Sequence, residues 1–418
     1  MIQRISGQVR LALRNSVRNV RRSMLTAITV LVGTSLTVVA LAFMTGLYDQ
    51  IMIDYAENQG HGRVVTAAFE KREMLQPLYE NIADVDPVLD TVRAIPGVTD
   101  AYPVIRLGVS TAVGEEIGET FANVTGAPLE WYESHVKPRA IVLDGAWLSE
   151  SKDAQVVLGR RAANDAGAKV GDSILLLGAT QYGSMSPVNA KVVGVITGDS
   201  TLDTQAFVTL DTARWMADME SGALQVMFYT DSFEPSVAEP VALAVQGALG
   251  DTYVVSSWSQ QGAWPGTMPV INGMEYIIAG LMIFVMVLAI FNTMSMSVME
   301  RTSEIGVMRA MGQSRIGAVS TFLIEAGLIG AVGGVLGVLI GGLFAAYLAT
   351  QGVSLGQDMV DQAGEGAFPI KSTYYAVISV QTLLYCLGVG VAAAIAGAAM
   401  PAIRAASIRP THAMRARR

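Results

Sequence analysis

Side chains that could carry out chemistry are few in this 418-residue chain, and they lie far apart. Cys386 is the only cysteine, so the sequence contains neither a disulfide framework nor a cysteine-rich zinc site. The three histidines, His61, His135 and His412, show no HxxxH spacing of the kind that binds a metal ion. Within residues 47–269 no histidine is paired with a Ser or Cys nucleophile motif such as GxSxG, and the glycine-rich residues 167–173 lack the GxxxxGKS/T order of a phosphate-binding loop. We therefore predict no catalytic residue, no metal ion and no cofactor bound by this chain.

A short charged segment at residues 299–318 separates two long apolar runs. A serine or threonine near its start could cap a helix, on which Ile305 and Met308 would share one side. Glu300, Glu304 and Arg309 would then offer ion-pair contacts to a partner. From these residues alone, a solvated loop and a docking helix both remain open.

Four apolar runs exceed the roughly 18 residues that indicate a membrane helix. The composition agrees, with 51% hydrophobic residues, 15% charged residues and a mean hydropathy of +0.42. We predict a helical membrane protein with four transmembrane helices and a large mixed α+β extracytoplasmic domain, residues 47–269, between the first two helices. The predicted spans are residues 24–46, 270–298, 319–349 and 373–402.

The charges predict the orientation of these spans. Residues 1–23 and 403–418 contain arginines and no acidic residue, whereas residues 48–269 contain 29 Asp and Glu against 13 Lys and Arg. The positive-inside rule then places both termini and the 299–318 segment in the cytoplasm, and the loop 350–372 outside. Arginines at helical spacing within residues 1–23 suggest an amphipathic helix on the inner leaflet, although a basic flank without defined structure is the alternative.

The large domain shows strand and helix patterns in alternation. Residues 155–177 read as a strand, a helix at residues 160–166, a turn and the strand 173–177. Further predicted strands cover residues 101–113, 191–196, 206–210 and 252–256, and helices are predicted at residues 212–219 and 235–249. Its acidic residues are scattered, which favours a solvated binding surface over an enzyme.

The third span carries a stripe of glycines at four-residue spacing: Gly333, Gly337 and Gly341. Such a stripe lets a neighbouring helix backbone approach closely, either within the chain or in a second subunit. Glu325 is an acidic residue about one third into the same span, where a charged carboxylate costs roughly 2.5–3.5 kcal/mol on insertion scales.

Residues 292–342 resemble the core motif of the FtsX/MacB-type ABC transporter permease family, which includes the LolC/LolE-like lipoprotein-releasing permease subunits. In that family a helix ending in N-T-M-S precedes E-R-x-x-E-I-G-V-x-R-A-x-G, and F-L-x-E opens a glycine-rich helix. A further match at residues 401–410, together with the arginine-rich N-terminal segment and the inserted outer domain, extends the resemblance over essentially the whole chain. The central matching residues are Glu300, Arg301, Glu304, Ile305, Gly306, Val307, Arg309, Ala310, Gly312, Phe322, Leu323 and Glu325.

The resemblance implies that residues 300–312 form a coupling helix that seats in a groove of an ABC ATPase dimer, which binds ATP and Mg²⁺. The ATPase-coupling residues would be Glu300, Arg301, Glu304, Ile305, Gly306, Arg309, Ala310 and Gly312. A second permease subunit, identical or paralogous, is also implied. Glu325 matches an acidic residue of the family, for which we infer no role.

The resemblance further implies a non-catalytic permease subunit of the bacterial inner membrane, in contact with lipids and not with nucleic acid. It would couple ATP hydrolysis on a separate chain to periplasmic work, and we place lipoprotein release to a periplasmic carrier first. Efflux of peptides or amphiphiles with an adaptor and an outer-membrane channel is the alternative, as is FtsX-like signalling to a cell-wall hydrolase. LolC-type members hold their carrier with a hook loop, whose counterpart within residues 178–189 looks short here.

Overall fold

The protein is described by a computed structural model that covers residues 20–73, 77–113, 116–151, 153–262, 264–300, 307, 309–356 and 370–407. The chain divides into two compact units. The helical unit comprises Met1–Tyr48, Pro269–Val353 and Tyr374–Arg418. The inserted domain comprises Asp49–Met268 and Ser354–Thr373. Residues 1–19 of the predicted amphipathic helix and residues 408–418 of the C-terminal tail fall outside the described residues.

Four helices in the described part of the chain are long and apolar enough to cross a membrane. They are α1 (Val20–Gln59), α9 (Trp264–Glu300), α10 (Arg315–Gln351) and α11 (Val380–Ser407), numbered in chain order. The predicted fold class, four apolar helices with a mixed domain between the first and the second, is confirmed.

Local signals explain where α10 and α11 begin and end. The Ser314 hydroxyl accepts a hydrogen bond from Gly317 N–H and caps the start of α10, while Gly352 follows its last turn at φ +72°. Ser379 plays the same part for α11, since its Oγ accepts from Thr382 N–H. For this reason the fourth long helix begins at Val380 and not at residue 373 as the apolar run suggested; Thr373 and Tyr374 form a short strand instead.

Apolar side chains of all four helices meet in the middle of the helical unit. One cluster contains Val30 of α1, Met286 and Ile290 of α9, Ala326 of α10 and Ala394 of α11. Small residues dominate on α10 and α11, which lets these two helices pack with their backbones close together: a methyl group built on Gly330 would lie 2.6 Å from the Ala394 Cβ.

The inserted domain is built on one large mixed sheet with helices packed on it. Its helices are α2 (Ala67–Glu70), α3 (Asp86–Arg93), α4 (Leu129–Trp131), a π-helical turn (Tyr132–Val136), a 3₁₀ turn (Lys137–Arg139), α5 (Arg160–Ala166), α6 (Ser200–Thr204), α7 (Leu210–Ala217), α8 (Pro235–Leu249) and a second 3₁₀ turn (Trp258–Gln260). Its strands are β1 (Gly62–Thr66), β2 (Val98–Val113), β3 (Glu116–Ala127), β4 (Ile141–Gly145), β5 (Gln155–Gly159), β6 (Ser173–Ala179), β7 (Met185–Thr197), β8 (Gln205–Thr209), β9 (Gln225–Thr230) and β10 (Tyr253–Ser257). A separate ribbon pairs β11 (Val353–Ser354) with β12 (Thr373–Tyr374).

The strand order is β10-β1-β9-β2-β3-β8-β5-β7-β4, with β6 paired to β2 and β7. The β3–β8 and β5–β7 pairs are parallel, and the others are antiparallel. Alternation along β9 sends Val226 and Phe228 into one apolar cluster and Met227 and Tyr229 into another, so both faces of the sheet are covered.

The sequence patterns located part of this domain. Strands expected at residues 101–113, 173–177, 191–196, 206–210 and 252–256 correspond to β2, β6, β7, β8 and β10, and α8 occupies residues 235–249 as predicted. The strand expected from residue 155 and the helix expected at residues 160–166 correspond to β5 and α5, whereas the strands β1, β3, β4 and β9 were missed. In β9 every residue is buried, so the alternation of apolar and polar residues that reveals a half-buried strand is absent.

Candidate functional site

The predicted ATPase-coupling segment is described only at its two ends. Glu300 is exposed at the last position of α9, and Val307, Ala310, Met311 and Gly312 are exposed just before α10. Gly312 has φ +96°, which ends the helical turn that precedes α10. Of the predicted coupling residues, Arg301, Glu304, Ile305 and Gly306 lie outside the described residues.

Arg309 is bonded within the chain. Its Nη1 donates to the Ala406 carbonyl oxygen near the end of α11 at 2.7 Å. The last carbonyls of a helix have no partner within the helix, and a guanidinium placed there is also favoured by the helix dipole. Arg309 therefore anchors the segment before α10 to the end of α11.

The glycine stripe of α10 faces α1 of the same chain. A methyl group built on Gly333, Gly337 or Gly341 would lie 2.6, 2.7 or 2.8 Å from the carbonyl oxygens of Ala27, Leu31 and Ser35, respectively. Both sets of residues repeat every four positions, so the two backbones run against each other over three successive contacts. Any side chain larger than hydrogen would push the helices apart.

Glu325 lies in α10 and is 4% exposed. Its neighbour Ala326 belongs to the central apolar cluster of the helical unit. Among the residues that the structure describes, no group of three or more His, Cys, Asp or Glu side chains is arranged to hold a metal ion.

Sequence reasoning missed a second site, in which the inserted domain holds the end of α1. We call it the helix seat: Arg106, His135, Arg139 and Tyr229, arranged around residues 54–59 of α1. Arg106 donates to the Asn58 carbonyl oxygen and, at 2.7 Å, to Gln59 Oε1. The Tyr229 hydroxyl donates to the Glu57 carbonyl oxygen at 3.0 Å.

Arg139 holds the same turn from another side. Its guanidinium donates to the Asp54 carbonyl oxygen at 3.4 Å and to Asn58 Oδ1 at 2.8 Å, and it lies 3.3 Å from Asp199 Oδ2. Lys371 completes the group, since its Nζ lies 2.9 Å from Asp54 Oδ1. The seat thus supplies donors to three backbone carbonyls near the end of α1, and two of them, those of Glu57 and Asn58, belong to the last turn, whose carbonyls have no partner within the helix.

Two histidines lie next to the Glu57 carboxylate, and one of them is hydrogen-bonded to it. His135 Nδ1–H donates to Glu57 Oε2 at 2.9 Å, and His61 Nε2 lies 3.6 Å from Oε1. Thr230 N–H donates to His61 Nδ1 at 3.0 Å, which leaves the proton of neutral His61 on the nitrogen that faces Glu57. The His135 ring stacks on Tyr229 with 3.5 Å between ring centroids.

Burial sets the electrostatics of the seat. It lowers the pKa of Arg106 and raises that of Asp199, because each charged form loses solvation by water. The Arg139 guanidinium partly offsets this effect at Asp199. The hydrogen bonds from Arg106 to α1 therefore lie in a region shielded from solvent.

The signals for the seat are weak in the sequence. His61 and His135 are separated by the whole of β1 to α4, so their spacing indicates nothing. Arg106 offered one indication, because it is a lone cation within the apolar strand β2, between Ile105 and Leu107. A buried arginine in a strand requires polar partners from elsewhere in the fold.

Comparisons with known proteins match both the inserted domain and the helical unit. The family model of the MacB-like periplasmic core domain matches residues 23–244, more than half of the chain, and that of the FtsX-like permease C-terminal region matches residues 276–410. An uncharacterized ABC transporter permease of Methanocaldococcus jannaschii is 25% identical over 238 residues, which cover 52% of this chain and 55% of the relative.

The macrolide export ATP-binding/permease protein MacB of Brucella abortus is 27% identical over 375 residues, which cover 84% of this chain and 54% of the relative. The chain thus spans about half the length of these curated relatives. Among solved structures, the periplasmic region of MacB from Actinobacillus actinomycetemcomitans matches with 15% identity and a TM-score of 0.34, over 47% of this chain and 88% of that one.

Proposed function

Because the chain belongs to the ABC transporter permease family, with an FtsX-like permease C-terminal region and a MacB-like periplasmic core domain, we propose that it is the membrane subunit of an exporter driven by a separate ATPase. In this proposal the ATPase binds ATP and Mg²⁺, and this chain converts hydrolysis into movement of its inserted domain. A second permease subunit, identical or paralogous, completes the transporter.

The helix seat is the observation that carries the proposal. Helix α1 is continuous from Val20 to Gln59, and its last turns are held by buried charged and aromatic groups of the inserted domain. A helix of 40 residues is about 60 Å long, twice the roughly 30 Å of a bilayer core. A shift of α1 within the membrane would therefore move the groups of the inserted domain that hold its end.

The cytoplasmic contact is proposed for residues 299–318. Exposed Val307 and Met311 offer apolar surface there, 46% and 76% accessible, and Arg309 ties the segment to α11. An ATPase seated on this segment would push on α9, α10 and α11 together. This arrangement requires both chain termini to lie in the cytoplasm, as the distribution of arginines indicates.

For the cargo, we propose an amphiphile or peptide that is exported, with an adaptor and an outer-membrane channel as partners. The relatives named for macrolide export support this proposal over lipoprotein release. The β6–β7 hairpin supports it too, because the chain turns back within residues 180–184, where Thr180 N–H donates to the Ser184 carbonyl oxygen. A tight hairpin offers little length for a hook that grips a carrier protein.

One experiment tests the ATPase contact. The substitution Glu304→Lys reverses a charge of the proposed coupling helix and should reduce the ATPase that co-purifies with the chain by about tenfold, the loss expected of a central charged contact. Glu150→Lys, an equally large charge change on an exposed residue of the inserted domain, serves as the control. Arg309 is less suitable, because it also bonds to Ala406. A full complement of ATPase on the Glu304→Lys protein would refute the assignment.

A second experiment separates the two cargoes. Proteoliposomes that contain the chain and its ATPase are supplied with ATP and either a fluorescent macrolide or an acylated lipoprotein. Export predicts ATP-dependent movement of the macrolide across the bilayer, with the lipoprotein remaining bound to the membrane. Appearance of the lipoprotein in the soluble fraction on addition of a periplasmic carrier, without macrolide movement, would support lipoprotein release instead.

A further inference from the structure

A cavity of about 330 Å³ lies in the helical unit between α1, α9 and α11. The lining residues of α1 and α9 lie close in sequence to the inserted domain. Thr45 lies shortly before Asp49, where the domain begins, and Tyr276 lies shortly after Met268. The cavity therefore lies where the apolar helices approach the boundary between membrane and water.

Backbone contacts join two of the walls of the cavity, α1 and the start of α11. The segment before α11 crosses α1 so closely that a methyl group built on Gly46 would lie 2.0 Å from the Tyr375 carbonyl oxygen. Val377 N–H donates to the Ala42 carbonyl oxygen at 2.9 Å, and Ser379 then caps α11. The residues that follow on α11 are held in place by this cap, so the cavity is a built feature of the fold.

The lining combines hydroxyl and amide groups with an apolar floor. The polar side chains are those of Thr45, Tyr276, Ser379, Gln381, Thr382 and Tyr385, and no Asp, Glu, Lys, Arg or His is among the described lining residues. The floor consists of Leu41 and Ala279, which belong to a buried apolar cluster with Val38 and Cys386. Neutral donors above an apolar floor match a molecule whose polar part is rich in oxygen acceptors.

Exposed apolar side chains lie next to the lining residues along α9 and α11. Ile277, Leu281 and Leu384 are 71%, 55% and 64% accessible, and Tyr276 and Tyr385 stand beside them at 77% and 53%. Tyrosine is enriched at the interface of membrane helices, where its ring contacts acyl chains and its hydroxyl contacts headgroups. An acyl chain could lie along these apolar residues while its polar end occupies the cavity.

We propose that this cavity binds the glycerol-ester and headgroup region of a phospholipid from the leaflet next to the inserted domain. The ester carbonyl and phosphodiester oxygens accept hydrogen bonds from the hydroxyl and amide groups of the lining, and the first methylenes contact Leu41 and Ala279. A bound lipid at this position fills the space between α1, α9 and α11. The proposal is independent of the cargo and of ATP, because it concerns only the helical unit.

The test is native mass spectrometry of the full chain, purified in a mild detergent from membranes that contain phosphatidylethanolamine. The wild-type chain should retain a phosphatidylethanolamine adduct that resists added detergent. Ala279→Phe fills the floor and should remove that adduct. Tyr385→Ala deletes an exposed side chain, which leaves the core packing intact, and should weaken retention by about tenfold, the equivalent of one or two hydrogen bonds with their apolar contacts.

Matched controls come from α10, away from the cavity. Ala346→Phe and Tyr347→Ala repeat the two changes at exposed positions and should retain the adduct as the wild-type chain does. Equal loss from test and control variants would mean that only surrounding bilayer lipid is bound, and would overturn the proposal. Retention by the Tyr385→Ala and Ala279→Phe chains, both folded by circular dichroism, would overturn it as well.

Discussion

Helix α1 makes two close contacts in this molecule, and they are built from opposite chemistry. Around residues 27–38 it meets the glycine stripe of α10 through backbone carbonyl oxygens and the Cβ atoms of Val30, Thr34 and Val38. Around residues 54–59 it meets the helix seat through arginine, histidine and tyrosine side chains. The first contact has no charged side chain in it, and the second has several that are buried.

The difference follows from the surroundings of the two contacts, which are lipid for the first and water for the second. Within a bilayer, apolar side chains gain nothing by leaving lipid, so helices associate by shape and by close approach of small residues. In the inserted domain, the α1 end leaves carbonyl groups that must be satisfied once water is excluded, and cationic donors do so most strongly. A contact built by shape should fail when volume is added, and a contact built by charge should fail when a donor is removed.

The largest expected effect is on the glycine stripe. Gly337→Leu places a side chain where a single methyl group would already lie 2.7 Å from the Leu31 carbonyl oxygen, so α1 and α10 must separate. We expect loss of the monodisperse, folded chain in size-exclusion chromatography after detergent extraction. Gly280→Leu is the control, because no atom lies within 4 Å of a methyl group built there. Equal behaviour of the two variants would show that the stripe is not a packing contact.

The next effect concerns the seat. Arg106→Met removes the donor to the Asn58 carbonyl oxygen and to Gln59 at nearly equal volume, and leaves buried acceptors unpaired. We expect a loss of about 3 kcal/mol in the free energy of unfolding of the inserted domain. All five tryptophans lie within Asp49–Met268, so urea unfolding followed by tryptophan fluorescence of the full chain reports this domain. Arg72→Met, at a 56% exposed side chain, should change the midpoint little.

A smaller effect is expected at the carboxylate between the two histidines. Glu57→Gln keeps the size of the side chain but replaces one acceptor oxygen with a donor, which opposes His135 or His61. We expect a loss of about 1–2 kcal/mol in the same fluorescence measurement. Glu133→Gln breaks the exposed pair with Lys137 and should cost well under 1 kcal/mol. Similar values for both variants would mean that the histidine pair adds nothing to the seat.

The smallest effect is a pH dependence of the stability of the inserted domain, which arises from the ion pair between Glu73 and Arg63 of β1. The hydrogen bond from Arg63 holds the pKa of Glu73 below the ordinary value of 4.5, against the opposing effect of burial. The pair therefore stabilises the domain fully above pH 4.5, and this stabilisation is lost as the pH falls through the lowered pKa. Glu73→Gln should flatten the acid side of the stability profile, while Glu150→Gln should leave it unchanged. An unchanged profile for Glu73→Gln would exclude the pair as a source of acid sensitivity.

The two contacts also differ in how far sequence patterns predict them. Gly333, Gly337 and Gly341 repeat at helical spacing, so a stripe on one helix face follows from the residues, although the partner helix does not. The seat has no such repeat: Arg106, His135 and Tyr229 come from three separate elements, and only the pairing of β9 with β2 and the π-helical turn bring them together. Strands that are covered on both faces, such as β9, are missed for the same reason, because their sequences do not alternate between apolar and polar residues.

The sequence by itself determined the number of long apolar helices and the insertion of a mixed domain between the first two. It also located the charged motif that precedes the third of these helices. Hydropathy, charge and local motifs are properties of neighbouring residues, and spacing along the chain therefore records them. Only the tertiary structure decided that α1 is the partner of the stripe, that Arg309 bonds to Ala406 and that buried donors close the end of α1. Those contacts join residues far apart in the chain. They depend on side-chain geometry and on the exclusion of water, neither of which spacing along the chain records.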